Sequence, residues 1–196
     1  MRAELRQQLS QLQTFFEVAD KPFPNMPGAS IEELSKVTET TGIQLDGDIV
    51  DLYQYMNGSE KTALFAVFTD EVTLCTFLSL DSALQFWGIS CSDIDDYYQR
   101  VNRQYEDYEQ EPARDTRIQP DAWVNKRWFP FAEFNGGGTI VYWDADPTPA
   151  GQIGQIIAYQ HDPDAIYYVA PDFLTFIKQS NELLANNPKL LEWIYV

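Results

Sequence analysis

The most constraining stretch of this chain lies in its second half, where apolar, β-branched and aromatic runs alternate with turn residues. Gly136-Gly137-Gly138 introduces Ile140-Val141-Tyr142-Trp143, which ends in Asp144-Ala145-Asp146-Pro147. Gly154-Gln155-Ile156-Ile157-Ala158-Tyr159 and Ala165-Ile166-Tyr167-Tyr168-Val169 follow, each bounded by Asp, Pro or Gly. Short runs of this kind between turn signals predict an antiparallel meander. Two earlier runs, 64–68 and 72–78, are separated by Thr69-Asp70-Glu71 and predict a further hairpin. Trp123 to Phe134 is dense in aromatics and precedes the glycines.

Helical periodicity flanks these strands. Leu5, Leu9, Leu12, Phe16 and Ala19 recur at three- and four-residue steps, and the proline-rich run 21–28 stops that helix. Ser30-Ile31-Glu32-Glu33 is a capping box, so a helix is expected from Ile31 to Gly42. Ile49, Leu52, Tyr53 and Met56 share a face closed by Asn57-Gly58. Asp81 is expected to cap a helical region from Ser82, with Gly88 as a point of interruption and Ile94, Tyr97, Tyr98, Val101, Tyr105 and Tyr108 on one face up to Pro112. A helix from about Pro171 and a short one opened by Pro188 end the chain. Strands in the middle and helices at both ends predict an α+β fold in a single domain: a mostly antiparallel central sheet with helices packed on one face and at both termini. The expected divisions are an N-terminal helix and connector over 1–22, the main domain over 23–178, and a helical extension over 179–196 packed on the same domain.

With 196 residues, 44% hydrophobic and 14% aromatic, the chain has enough apolar material for a core without staples, since a chain of this size buries roughly 70% of its unfolded surface. Its 30 Asp and Glu against 13 Lys and Arg give a net charge of −17. A phosphate backbone is bound through clustered cations that release counterions, so direct nucleic-acid binding is not expected. Cys75 and Cys91 have neither disulfide-framework nor zinc spacing. The start of the sequence lacks the apolar core of a signal peptide, and no run approaches the roughly 18 apolar residues of a membrane span. A cytoplasmic protein with no membrane association is expected.

Several fragments together resemble one family. Pro27-Gly28-Ala29 before a capped helix, Thr41-Gly42-Ile43, and Leu52-Tyr53 to Asn57-Gly58 are followed by Trp128-Phe129-Pro130-Phe131-Ala132, Asn135-Gly136-Gly137-Gly138, Asp144-Ala145-Asp146-Pro147, Gly151 to Ile157, His161-Asp162 and Ala170-Pro171-Asp172-Phe173. In order and spacing they resemble the SUKH superfamily, the cell-wall assembly regulator (Smi/Knr) family, over roughly residues 23–178. The chain has Asn135 where the family commonly has Asp, and Asp46 where it has Pro. On this resemblance Trp128, Pro130, Gly136, Gly137, Gly138, Asp144, Asp146, Gly154 and His161 are family-motif residues with structural roles. The resemblance implies a non-enzymatic protein-binding module: bacterial members are similar to immunity proteins that neutralise toxins, many of them nucleases, and fungal members are similar to regulators of wall glucan synthesis.

Weighed singly, the motifs favour structure over chemistry. Consecutive glycine amides can cradle an anion, but no Lys-Ser/Thr and no helix follow these three, so a tight turn is expected. Glu133, Asp144 and Asp146 offer the acid types of a glycosidase, yet Asp-x-Asp-Pro is ordinary strand-terminating chemistry. His161 is the only histidine and lies in a predicted hairpin turn, where a structural hydrogen bond is expected. No catalytic residues, metal ligands or cofactor are therefore expected, with a hydrolase using Glu133, Asp144 or His161 kept as the least favoured alternative. The segment 93–111 carries seven acids, Asp93, Asp95, Asp96, Glu106, Asp107, Glu109 and Glu111, against Arg100 and Arg103. With Tyr97 and Tyr108 among them, these acids form a candidate docking surface for a basic protein, a toxin in the first reading and a host protein bound by a regulatory scaffold in the second. The sequence implies no oligomeric state.

Overall fold

A computed structural model describes residues 1–91, 114–120, 123–162 and 164–193. Helix α1 (Ala3–Val18) buries Leu5, Leu9, Leu12 and Phe16, the stripe that the periodicity predicts. Helix α2 (Ile31–Thr41) starts with a reciprocal capping box. The Glu33 amide donates to Ser30 Oγ at 3.1 Å, and the Ser30 amide donates to Glu33 Oε2 at 2.7 Å. It ends at Gly42 in the left-handed conformation, φ 69°. Helix α3 (Gly47–Tyr55) has Asp46 at its N-cap, without a capping hydrogen bond from the side chain. The Pro27-Gly28-Ala29 strap lies against the end of α3: the Ala29 amide donates to the Tyr53 carbonyl at 2.7 Å, and the Asn57 amide to the Pro27 carbonyl at 2.9 Å. Glycine is required here because a Cβ at position 28 would sit 1.9 Å from the Gln54 carbonyl oxygen.

Six strands follow: β1 (Ala63–Phe68), β2 (Val72–Phe77), β3 (Trp128–Phe134), β4 (Thr139–Asp144), β5 (Gln155–Gln160) and β6 (Ala165–Ala170). Each pairs antiparallel with its sequence neighbours, in the order β1-β2-β3-β4-β5-β6. Strand β3 is the aromatic run that turn logic left unassigned. It carries Pro130, which cannot donate to a ladder, and the register shifts between Pro130 and Ala132, a bulge that accommodates the missing N–H.

Between β2 and β3 lies α4 (Leu80–Cys91), and after β6 come α5 (Phe173–Asn186) and a 3₁₀ turn (Pro188–Trp193). Three details differ from the sequence expectation. Ser79, not Asp81, caps α4: its Oγ accepts from the Ser82 amide at 3.2 Å, while Asp81 lies within the first turn and pairs with Lys36 at 3.1 Å. Gly88 lies within α4 and does not break it. Helix α5 begins at Phe173, because Asp172 Oδ1 takes the Thr175 amide at 2.7 Å as its N-cap.

Helices α3 and α5 pack on one face of the sheet, with α1 against α5. The core beneath them is aromatic: Phe65 and Phe176 ring centroids are 5.3 Å apart, Phe131 and Phe173 5.3 Å, and Tyr53 and Phe77 4.6 Å. Each such fully buried ring contributes about 1.5–3 kcal/mol by area removed from water. The opposite face carries a second, smaller cluster, in which Ile118 and Trp123 of the segment before β3 pack on Trp128, Ile157 and Ile166. The sheet is curled, so that its two edge strands approach each other. At one end of that seam the Thr69 hydroxyl donates to Gln160 Oε1. Farther along, the Ala66 amide on the outer edge of β1 donates to Ser180 Oγ of α5 at 2.9 Å.

Candidate functional site

The family-motif residues divide between the two ends of the sheet. At the end where β4 stops, Asp144 is fully buried. Its Oδ1 accepts the Asp146 amide at 2.8 Å and its Oδ2 accepts Gln155 Nε2 at 2.8 Å. Gln155 Nε2 also donates to the Arg117 carbonyl at 3.0 Å, which ties the incoming segment to β5. Asp146 Oδ2 in turn accepts Asn125 Nδ2 at 2.8 Å. Burial pushes the Asp144 carboxyl up from the ordinary carboxylate range, and the hydrogen bonds from Asp146 and Gln155 oppose that shift. The Trp128 indole N–H is buried without a hydrogen bond of ordinary geometry, yet it lies close enough to Asp144 to favour the charged form. Gly154 follows in the same knot, its amide donating to the Asp144 carbonyl at 2.8 Å.

Beside this knot Arg117 grips Asp115 with both Nε (2.8 Å) and Nη2 (2.6 Å) and lies with its guanidinium carbon 3.2 Å from the Tyr168 ring centroid. The fork holds the Asp115 carboxyl below its usual range. Sequence reasoning missed Asn125, Gln155 and the Arg117–Asp115 pair. Only Gln155 had a legible signal, a polar residue opening an otherwise apolar strand run.

At the opposite end, Asn135 (φ 54°), Gly136 (φ 66°) and Gly137 (φ 111°) form the β3–β4 turn. The Gly136 and Gly137 amides both donate to Glu133 Oε2, at 2.8 and 3.3 Å. The anion-binding concavity that consecutive glycines can offer is thus filled by the chain's own carboxylate. His161 sits nearby in the β5–β6 turn, its amide donating to the Gly138 carbonyl at 2.9 Å. Its Nδ1 is 2.9 Å from Asp164 Oδ1, and that contact pushes the imidazole up from its usual value. Burial, then the facing Asp70 carboxylate, pushes Tyr167 up to about 12.

Glu133 and Asp144 occupy opposite ends of the β3–β4 ladder, since Glu133 pairs with Ile140 and Asp144 with Trp128. Five residues of strand set them roughly 17 Å apart, beyond the roughly 9.5 Å that a glycosidase's two carboxyls allow. His161 is on the Glu133 side, where its Nδ1 meets Asp164 Oδ1 at 2.9 Å and the Tyr159 hydroxyl at 3.3 Å. Cys75 and Cys91 are buried free thiols; burial pushes Cys75 well above its ordinary value and Cys91 up to about 11. Among the described residues no three His, Cys, Asp or Glu side chains cluster as metal ligands would, and no helix is long and apolar enough to cross a membrane.

Two open grooves are present among the described residues. One of about 400 Å³ runs between α1 and α3, past Arg6, Gln13 and Tyr55. The other, about 360 Å³, lies in the seam between β1 and β6 over α5. Neither is lined by Glu133, Asp144, Asp146 or His161. The candidate docking residues Asp93, Asp95, Asp96, Tyr97, Glu106, Asp107, Tyr108, Glu109 and Glu111 lie outside the described residues.

A curled antiparallel meander under terminal helices, with its motif carboxylates hydrogen-bonded within the chain, defines an α+β single-domain scaffold. The model of the SMI1 / KNR4 family (SUKH-1) matches residues 28–179, most of the chain, and the protein belongs to that family. The family is in general non-enzymatic and supports an immunity-like or SMI1-like role in binding protein. Among curated proteins none matches the chain significantly.

Proposed function

We propose that this chain is a cytoplasmic immunity-type protein that binds a basic toxin, a nuclease among the candidates, and covers its active surface. The observation that carries the reading is membership of the SMI1 / KNR4 (SUKH-1) family in a chain of net charge −17. A strongly negative surface attracts a basic partner during encounter and competes for the groove that a nuclease offers its substrate. The structural use of Asp144 and Glu133 supports a role without catalysis. The 93–111 acids and their tyrosines are the proposed contact for the toxin's basic face, and residues 23–178 the proposed binding domain.

The test is to co-express the product of the adjacent reading frame with this chain and to measure growth rescue and binding. A neighbour that is neither toxic nor bound overturns the reading. Binding through the 93–111 acids weakens as salt screens the charges; salt-insensitive binding assigns the contact to apolar groups instead. The family description also supports a second reading, a regulatory scaffold that binds a host protein constitutively. Wall defects on deletion, in a cell with no toxin present, decide for that one.

A further inference from the structure

The curled sheet leaves two edges, β1 and β6, with a slot between them. It is closed at the turn end by the Thr69–Gln160 contact and floored by α5. Leu183 and Val169 line it with the fully buried Phe176 and Val67, alongside the polar Gln179, Ser180 and Asn186. Phe68 stands at its rim with 57% of its surface exposed, among the largest exposed apolar side chains of the described residues. At about 360 Å³ the slot is at the small end of the range for ligand cavities, which runs over roughly 300–1,000 Å³, and so suits one large side chain rather than a folded ligand.

One charged residue lines the slot, Glu182, which is exposed and makes no ion pair among the described residues. Arg117, which stacks on Tyr168, is neutralised by Asp115 and does not line it. A partly apolar slot with an acidic rim, on a chain of net charge −17, selects against a second copy of the same acidic chain and for a cationic partner.

We infer that the β1–β6 seam is a docking slot for a single aromatic or aliphatic anchor side chain, flanked by Lys or Arg, on a partner protein. The inference rests on the protein-binding reading and gives that reading a location separate from the 93–111 acids. The anchor packs on Leu183 and Val169 beside Phe68, and its cationic neighbour meets Glu182. Such anchors in desolvated pockets carry most of the energy of an interface.

The test uses the full ¹⁵N-labelled chain and three capped peptides: Lys-Lys-Phe-Lys-Lys, Lys-Lys-Ser-Lys-Lys and Glu-Glu-Phe-Glu-Glu. The first is expected to shift the amide signals of Phe68, Val169, Gln179 and Leu183, with each control about tenfold weaker for want of the anchor or the charge. Gln179→Trp, which fills the slot from a half-buried helix position, abolishes the shifts. Glu182→Lys, at an exposed position, weakens them severalfold. Any of these results overturns the inference: no shifts at millimolar peptide; shifts spread over the acidic surface; equal response to the serine peptide; or undiminished binding by Gln179→Trp. Concentration-dependent shifts at the slot without peptide also overturn it, by assigning the seam to self-association. With an identified toxin, a Gln179→Trp chain that still rescues growth removes the slot but leaves the protein-binding reading standing. A wild-type chain that neither binds nor rescues removes that reading instead.

Discussion

Ser180 of α5 accepts the outward N–H of Ala66 at 2.9 Å, so a helix side chain, rather than another strand, satisfies that edge group of β1. The bond spans 114 residues of sequence and is buried. Ser180→Ala leaves this N–H without a partner, at an expected cost of about 1–3 kcal/mol. Chemical denaturation measures the loss, and hydrogen exchange at the Ala66 amide rises with it. An unchanged exchange rate would show that the edge is satisfied by other means.

Asp144 is a buried carboxylate that receives two donors, so Asp144→Asn places an amide N–H against either the Asp146 amide or Gln155 Nε2. The expected destabilisation is about 1–3 kcal/mol. Its pH dependence has a definite sign. The folded-state value is raised above 3.8, so the folded protein holds this proton more tightly and the group's contribution to stability falls as pH rises through the window above 3.8. The gap between wild type and variant in urea titrations is therefore widest near about pH 4 and narrows toward about pH 7. A gap that widens with pH contradicts the assignment.

Gly28→Ala drives a Cβ into backbone, 1.9 Å from the Gln54 carbonyl oxygen, where no side chain can yield. Either the strap or the end of α3 must shift, breaking the Ala29–Tyr53 and Asn57–Pro27 hydrogen bonds. A cost of about 1–3 kcal/mol follows, or about 2–4 °C in Tm per kcal/mol for a chain of this length. Calorimetry checks it, and a neutral substitution would refute the close approach.

His161 titrates above 6.5 because Asp164 accepts its hydrogen bond. The stability this contact contributes is present below 6.5 and lost as pH rises through the folded value. The side chain is largely exposed, so the effect is best read at the ring itself. NMR titration of the imidazole is expected to give a value above 6.5 in the wild type and a lower one in Asp164→Asn. Identical values in the two chains would remove Asp164 as the cause.

Five of the six strands were readable because each is a short apolar run bounded by turn residues. Strand β3 was not, because Pro130 argues against a strand and only tertiary pairing reveals the bulge that tolerates it. The capping box at Ser30 was local, and so legible. The cap at Ser79 was obscured by Asp81, an equally good capping residue two positions on. The structural weight of Asp144 could be suspected from its motif. Of its surroundings, Gln155 stood out only as a polar residue opening an apolar run, and Asn125 did not stand out at all, since an uncharged amide in a loop carries no pattern of its own. The seam was invisible for the same reason: curvature of a sheet is a property of pairing, and no residue in β1 or β6 announces that the two will meet.

Strand pairing only between sequence neighbours also sets a timetable for folding. The β1–β2, β3–β4, β4–β5 and β5–β6 hairpins close cheaply and early, whereas β2 reaches β3 only through the distant Thr76–Glu133 pairing, and α1 and α5 meet across 173 residues, where Asn181 Nδ2 donates to the Gln8 carbonyl at 3.0 Å. The terminal helices are therefore the last elements to dock, and mutations at Leu9 or Leu184 should speed unfolding while leaving the folding rate almost unchanged. Until they dock, the aromatic face of the sheet is open to water and to other chains, so the interval before helix closure is when this protein is most exposed to aggregation.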